Sequence, residues 1–382
     1  MPIRISVDRS MFEGGKPRTV AIYPGITVQA QSFSTGVPYL SIENQRGIVQ
    51  MLKMGSQIWY AEFDSKPLGM LSTLPNHEPP NFTPSLDFKK RSDQYLENYG
   101  ALLVHCGPHR MGCPDRPEDH PLHGSLPLMS FNDPVVLTGT DSKGHYVEIR
   151  CISNNPITIG EGFNYTVKVA TRIYAHEALV HTVTTTINNL ATPTEFMFLE
   201  HANHRLVDGS RIIYSPALND LVIREKDPGH IAKLLAAEQE HYRVIKTSFA
   251  QNPQQHTRVD LSRKLYPEIV LYGKQIGDQA IAAQVRLEDL SADVTIYDPR
   301  ELPLLAVWMR QATEEQANRE GFVVTNSLGL LPATGKPQGV NDARRDGEIG
   351  KVEREREVHC TVGLLNENEL RARVPNLDEL LK

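Results

Sequence analysis

The residues with the most varied chemistry lie in one Pro- and Gly-rich stretch of the sequence, between positions 105 and 123. Three uses compete for such a stretch: binding a metal ion, cross-linking a long loop through hydrogen bonds to its backbone, or holding a small polar ligand. The groups concentrated there are His105, Cys106, His109, Arg110, Cys113, Asp115, Asp119, His120 and His123.

The spacing of these groups argues against a metal. Six residues separate Cys106 from Cys113, and no second Cys/His block follows at the distance of a zinc finger or ribbon. We therefore expect no metal and no other cofactor, and we expect His105, His109 and Cys113 to be used within the loop. A metal-dependent sugar isomerase that uses this stretch is the alternative, and elemental analysis would separate the two.

The segment PLHGSLP ends this stretch and favours the third use. His123 precedes Gly124 and lies between Pro121 and Pro127, so its ring projects from a rigid turn with little side-chain bulk in front of it. An imidazole presented in this way is suited to bind a hydroxyl group.

A second polar segment follows the apolar run FMFL, where a buried strand should emerge at the end of a sheet. Strand alternation puts His201 and Asn203 on one face and Glu200 on the other. Because polar clusters at strand ends are enriched in functional sites, we expect a function for His201. His204 is expected to be a surface side chain.

Composition narrows the classes of partner. The chain has 382 residues and a formal net charge of -6, and it contains no broad basic field that would collect phosphates. Nucleic acid and membrane are therefore poor partners, and a neutral small molecule is favoured; a homodimer is left open. The first residues lack a secretory signal, no apolar run is long enough to span a membrane, and four scattered cysteines predict reduced thiols. The expected location is the cytoplasm.

Short β-rich pieces with period-two alternation run from one end of the chain to the other, as in TVAIYP, HTVTTTIN and LLAVWMRQ. The pattern predicts an all-β, mainly antiparallel fold with few short helices, in a single domain over residues 1–382 whose first 70 residues add strands to a main sandwich. The best helix is predicted over 230–251. Residues 71–98, which carry four prolines, are expected to cross the surface as a long loop.

The sequence resembles the galactose mutarotase-like superfamily, and more closely a little-characterised branch of aldose 1-epimerase-like proteins. The resemblance follows the blocks YGALLVHCG, PLHGSLP, FMFLEHANHRLVDG, LLAVWM and VVTNSLGLLPATG, in that order. It implies a large β-supersandwich that binds a sugar in an open cleft and interconverts its anomers by acid–base catalysis.

The resemblance also implies roles for individual residues. His123 would hold the sugar near its ring oxygen, and His201 would be the general acid toward that oxygen. The residues implied in substrate binding are Arg110, Asn203, Asp208 and Trp308, and Met309 replaces the lysine expected after the tryptophan.

One position departs from the family pattern. Leu331, in GLLPATG, occupies the place where the family carries its catalytic glutamate. A leucine cannot transfer a proton, so Glu200, Asp208 or Glu301 would have to act instead, or a histidine would. The alternative function is a non-catalytic carbohydrate-binding or regulatory protein.

Overall fold

The computed structural model describes residues 3–153, 157–159, 163–226, 231 and 234–382. Within them the chain forms mainly antiparallel β-structure with a few short helices, which confirms the predicted fold class. The strands are β1 (Ile3–Ser6), β2 (Arg18–Tyr23), β3 (Ile26–Ser32), β4 (Pro38–Asn44), β5 (Gly47–Leu52), β6 (Ile58–Phe63), β7 (Lys66–Pro67), β8 (Leu71–Ser72), β9 (Leu103–Cys106), β10 (Val135–Asp141), β11 (Gly144–Ile152), β12 (Ile157–Ile159), β13 (Phe163–Tyr174), β14 (Leu179–Asn188), β15 (Thr194–Phe196), β16 (Leu199–His204), β17 (Arg211–Ser215), β18 (Asn219–Ile223), β19 (Ile269–Lys274), β20 (Ala280–Val285), β21 (Ala292–Tyr297), β22 (Leu304–Gln311), β23 (Val324–Ala333), β24 (Gly350–Val352) and β25 (Glu355–Leu365). The α-helices are α1 (Phe88–Glu97), α2 (Ala236–Gln251), α3 (Glu314–Glu320), α4 (Val340–Arg345), α5 (Glu367–Arg373) and α6 (Leu377–Leu380).

Two large sheets contain most of the strands. The larger sheet has the order β18-β19-β22-β23-β16-β9-β6-β5-β4-β3-β2, with β7 paired to β6 and β8 to β23. The smaller sheet has the order β1-β10-β11-β13-β14-β25-β21-β20-β17, with β12 paired to β13. The first 70 residues thus contribute β1 to the smaller sheet and β2 to β7 to the larger one.

The alternation of apolar side chains along β22 explains how the layers stack. Leu305, Val307 and Met309 join a core that contains residues of both sheets, whereas Ala306 and Trp308 join a second cluster on the outer face of the larger sheet. Such a strand is buried on both faces and reads as a continuous apolar run. The outer face of the larger sheet is therefore covered by other parts of the chain.

Part of that cover comes from the segment expected to be a surface loop. Residues 88–97 form α1, whose first turn is capped by the Asp87 side chain, which accepts a hydrogen bond of 2.8 Å from the Lys90 N–H. Tyr95 and Tyr99 pack into the cluster on the outer face. The prediction of an irregular loop was wrong here because four nearby prolines obscured a short, capped helix.

The helix predicted over 230–251 is confirmed from Ala236 to Gln251 as α2. His230, where the prediction began, lies outside the described residues. No helix in the described ranges combines the length and apolar character needed to cross a membrane.

Candidate functional site

A cavity of about 190 Å³ lies between the outer face of the larger sheet and the segments that cover it. A single water needs about 10–15 Å³ of cavity, so this cavity has room for a small molecule. Its wall is aromatic and aliphatic with a few ionisable groups. The residues around it include Tyr95, Leu96, Tyr99, Cys113, Leu122, His123, His201, Arg224, Glu268, Val270, Tyr272, Ala306, Trp308, Glu320, Phe322, Leu331 and Pro337.

His201 reaches the cavity because of the alternation along β16. The neighbouring Glu200 points the opposite way, and its carboxylate lies 2.7 Å from Nδ1 of His105 in the interior, where both side chains are fully buried. His201 and Asn203 share the other face, where they contact each other. The predicted division of this segment into two faces is confirmed.

Hydrogen bonds orient the ring of His201. The Asn203 amide group donates to the carbonyl oxygens of Ala101 and His201, so its Oδ1 faces Nδ1 of His201 at 2.7 Å. The Tyr99 hydroxyl oxygen lies 2.6 Å from the same nitrogen and 3.0 Å from Nε2, and it donates to Asn203 Oδ1 at 2.9 Å. Asn203 Oδ1 can only accept a hydrogen bond, so the proton of the neutral ring is assigned to Nδ1, which leaves Nε2 as the acceptor.

His123 faces the same cavity from the covering segment. Its backbone has a φ of 60°, a left-handed conformation that is uncommon outside glycine, and its N–H donates to the Gly112 carbonyl at 2.9 Å. The ring centroids of His123 and His201 are 4.9 Å apart, with their planes at 85°. Nδ1 of His123 is buried and has no hydrogen-bond partner among the described residues.

Glu268 supplies a carboxylate in this cavity that sequence reasoning missed. Its Oε1 accepts a hydrogen bond of 2.7 Å from Arg224, and its Oε2 accepts one of 2.7 Å from the indole N–H of Trp308. Trp308 in turn contacts His201, with ring centroids 5.7 Å apart. The only signal in the sequence is alternation, because Glu268 shares a face with Tyr272 in the predicted strand EIVLYGK.

The burial of both imidazoles keeps them neutral. Desolvation lowers the pKa of His123 to about 4, with a smaller contribution from His120. Desolvation, together with the nearby His123, holds the pKa of His201 well below its usual value, although Glu268 acts in the opposite direction on both rings. At neutral pH each ring therefore accepts a proton more readily than it donates one.

Acid should destabilise the protein through such histidines. Desolvation lowers the pKa of His204 to about 3, below an ordinary value of about 6.5, so the unfolded chain binds the proton first. The stabilisation from the neutral ring is therefore fully present above pH 6.5, and the free energy of unfolding decreases as the pH falls toward 3. We expect the loss in urea unfolding between pH 7 and pH 4.5 to be smaller in His204→Gln, by on the order of 2 kcal/mol.

The exposed His176 supplies the control, since His176→Gln should leave this pH dependence unchanged. Equal slopes for the natural protein and His204→Gln would contradict the prediction. His204 itself is fully buried, and its Nε2 lies 3.0 Å from the Thr295 hydroxyl. The expectation of a surface side chain at this position was wrong, because β16 remains covered on both faces to its end.

The structure brings only some of the predicted substrate-binding residues to the cavity. Trp308 lines it, and Asn203 lies behind His201. Arg110 lies elsewhere, paired with Glu195 at 2.9 Å and stacked over the Phe163 ring. Asp208 also lies elsewhere and accepts a hydrogen bond from the Leu261 N–H.

The proposed replacements for the family glutamate do not reach the cavity. Glu200 is in the interior beside His105, and Glu301 hydrogen-bonds His359 at 2.9 Å. Leu331 lines the cavity wall, so no carboxylate stands at that position. Glu268, on the other side of Trp308, lines the cavity, and its negative charge acts on both imidazoles.

The histidines of the 105–123 stretch point in different directions. His105 pairs with Glu200, the ring of His109 packs on Phe163 with centroids 3.4 Å apart, and Nδ1 of His120 donates to the Pro121 carbonyl at 2.8 Å. Across the described residues, no group of three or more His, Cys, Asp or Glu side chains is arranged to hold a metal ion.

Comparison with known structures defines the class of fold. A candidate aldose 1-epimerase of Klebsiella pneumoniae subsp. pneumoniae MGH 78578 is 14% identical and has a TM-score of 0.73, over 100% of this chain and 92% of that one. A galactose mutarotase related enzyme of Lactobacillus acidophilus is 12% identical with a TM-score of 0.52, over 86% and 97% of the two chains. A galactose mutarotase-like protein of Clostridium acetobutylicum is 10% identical with a TM-score of 0.53, over 90% and 100%. The chain therefore has the galactose mutarotase-like fold.

The chain belongs to the family DUF4432, a domain of unknown function, whose model matches residues 34–264. That range covers more than half of the chain and includes both His123 and His201. No curated protein matches the sequence.

Proposed function

We propose that this protein binds a monosaccharide in the cavity and interconverts its anomers by acid–base catalysis, in the manner of an aldose 1-epimerase. The observation that carries the proposal is the pair of neutral imidazoles, 4.9 Å apart, in one cavity with a carboxylate. The fold shared with mutarotase-like proteins supports it independently.

The chemistry needs two proton transfers at adjacent oxygens. A base takes the proton of the anomeric hydroxyl, the bond from C1 to the ring oxygen breaks, and the ring oxygen gains a proton. The open-chain aldehyde then rotates about its C1–C2 bond and closes on the other face. Because both oxygens are attached to C1 in the closed sugar, one acceptor within reach of both can perform both transfers.

His201 fills the role of that acceptor in our proposal. Its Nδ1 proton is held by Asn203, so Nε2 takes the proton from the anomeric hydroxyl and returns it to the ring oxygen. The transient imidazolium is favoured by the negative charge of Glu268, which raises the pKa of both rings against the effect of burial. His123 binds the sugar through its unpartnered nitrogen. This differs from the general-acid role that the resemblance implied for His201.

We expect the protein to accelerate the approach of a freshly dissolved pure anomer to equilibrium, followed by polarimetry or exchange NMR over a panel of aldoses. The spontaneous rate without protein is subtracted, and protein denatured by heat serves as the control. Saturable binding in calorimetry without exchange would favour the alternative, a non-catalytic carbohydrate-binding protein. Neither exchange nor binding with any aldose would refute both.

A further inference from the structure

The side of the cavity formed by the sheet is lined mainly by apolar side chains. In the register of β19, β22 and β23, Ala306 lies between Tyr272 and Leu331, and Val270 pairs with Trp308. All five side chains are buried in the cluster on the outer face of the sheet and line the cavity.

The opposite side adds further apolar groups. Leu96 from α1, Leu122 beside His123, and Phe322 from the segment after α3 line the cavity. Phe322 is stacked with Trp308, with ring centroids 6.1 Å apart and planes at 23°. Aromatic faces accept the C–H groups of any pyranose and so discriminate little, whereas the aliphatic side chains offer no partner to a hydroxyl.

Several of the polar groups in the cavity are already bonded to other protein groups, and only three buried polar atoms of the lining have no partner among the described residues: the Tyr95 hydroxyl, Nδ1 of His123 and Nε of Arg224. The indole N–H of Trp308 and the Arg224 guanidinium donate to Glu268, and Arg310 donates to Glu320 at 2.9 Å. The Tyr99 hydroxyl is bonded to Asn203. A fully hydroxylated hexopyranose carries a hydroxyl on almost every carbon, and a buried hydroxyl without a partner is unfavourable.

We infer that the cavity selects a 6-deoxyhexose, in which a methyl group replaces the exocyclic hydroxymethyl group, over the corresponding hexose. The inference rests on the proposed function and names its substrate class. In a pyranose the ring oxygen is bonded to the carbon that bears the exocyclic group, so an imidazole at the ring oxygen has that group beside it. The side chains next to the two imidazoles include Leu122, adjacent to His123 in sequence, and Leu331, on the strand beside that of His201. Both are aliphatic and suit a methyl group.

The test compares pairs of sugars that differ by one oxygen: glucose with 6-deoxyglucose, L-galactose with L-fucose, and L-mannose with L-rhamnose. Exchange NMR gives kcat/KM for each. In the pair whose stereochemistry fits the cavity, we expect the deoxy sugar to be favoured about tenfold or more, which corresponds to about 1.4 kcal/mol. A hexose that is exchanged as fast as its deoxy partner, or faster, in every active pair would overturn the inference and leave the proposed function standing. No exchange with any sugar would refute the proposed function and the inference with it.

Variants of Leu331 and Leu122 give a second measurement. Leu331→Thr and, separately, Leu122→Thr add a hydroxyl where the exocyclic group is expected, so each should reduce the preference for the deoxy sugar at least threefold. Leu122 is half-buried, and its substitution disturbs the core less than that of Leu331. Ile276→Thr, at an exposed position, is the matched control and should leave the ratio unchanged. An unchanged ratio in both Leu331→Thr and Leu122→Thr would contradict the assignment.

Discussion

His201→Gln should reduce kcat/KM for anomer exchange by a factor of about 10² to 10⁴, the usual contribution of a positioned acid–base group. Glutamine has a size close to that of histidine and retains hydrogen-bonding capacity toward Asn203 and the Tyr99 hydroxyl, but it cannot carry a proton between two oxygens. Sugar binding measured by calorimetry should change by less than a factor of ten, because His123 and Trp308 remain. His176→Gln, at an exposed position, is the matched control and should retain full activity.

The pH dependence separates the two roles that His201 could have. A neutral acceptor predicts a constant kcat/KM from pH 8 to pH 6, after subtraction of the spontaneous rate, and a decline only in stronger acid, because burial holds the pKa of His201 well below its usual value. A general acid with a depressed pKa predicts the opposite, because its protonated form becomes more abundant in acid. A rate that rises continuously from pH 7 to pH 5 would therefore return His201 to the acid role and contradict our mechanism.

Alternation and local motifs account for what could be predicted from the sequence. The faces of β16 followed from the period of a strand, which separated His201 from Glu200 without any knowledge of the fold. His123 was found because Pro and Gly surround it in a turn. Both signals are local, so a single sequence contains them in full.

Long-range partners account for what could not be predicted. Arg110 lies near His123 in the sequence, but it pairs with Glu195, so it points away from the cavity. Glu268 was missed for the same reason: its partner Arg224 is 44 positions earlier in the chain, and its partner Trp308 is 40 positions later. The sequence around a carboxylate at the start of an apolar strand contains no signal that distinguishes it from a surface residue.

A buried arginine, Arg310, supports the part of the cavity wall beside Glu268. The Arg310 side chain is fully buried and donates to the carbonyl oxygens of Val324 and Pro267 at 2.8 and 2.9 Å, and to the Glu320 carboxylate at 2.9 Å. Its guanidinium group also lies 4.5 Å from the centre of the Phe322 ring. One side chain thus holds the residue before Glu268, the start of β23, the end of α3 and an aromatic residue of the cavity.

Arg310→Met should therefore lower the free energy of unfolding by about 3–5 kcal/mol, measured by urea denaturation at pH 7, because it leaves the Glu320 carboxylate buried without its cation. Removing both charges should restore part of the loss, so Arg310→Met combined with Glu320→Leu is expected to be more stable than the single variant. Arg319→Met is the control. Arg319 lies on the same helix as Glu320 but pairs with Glu238 at the surface, so its substitution should change the unfolding midpoint little. If the double variant were less stable than Arg310→Met alone, the cost would come from lost packing around Phe322, and the buried ion pair would not be the element that supports this wall of the cavity.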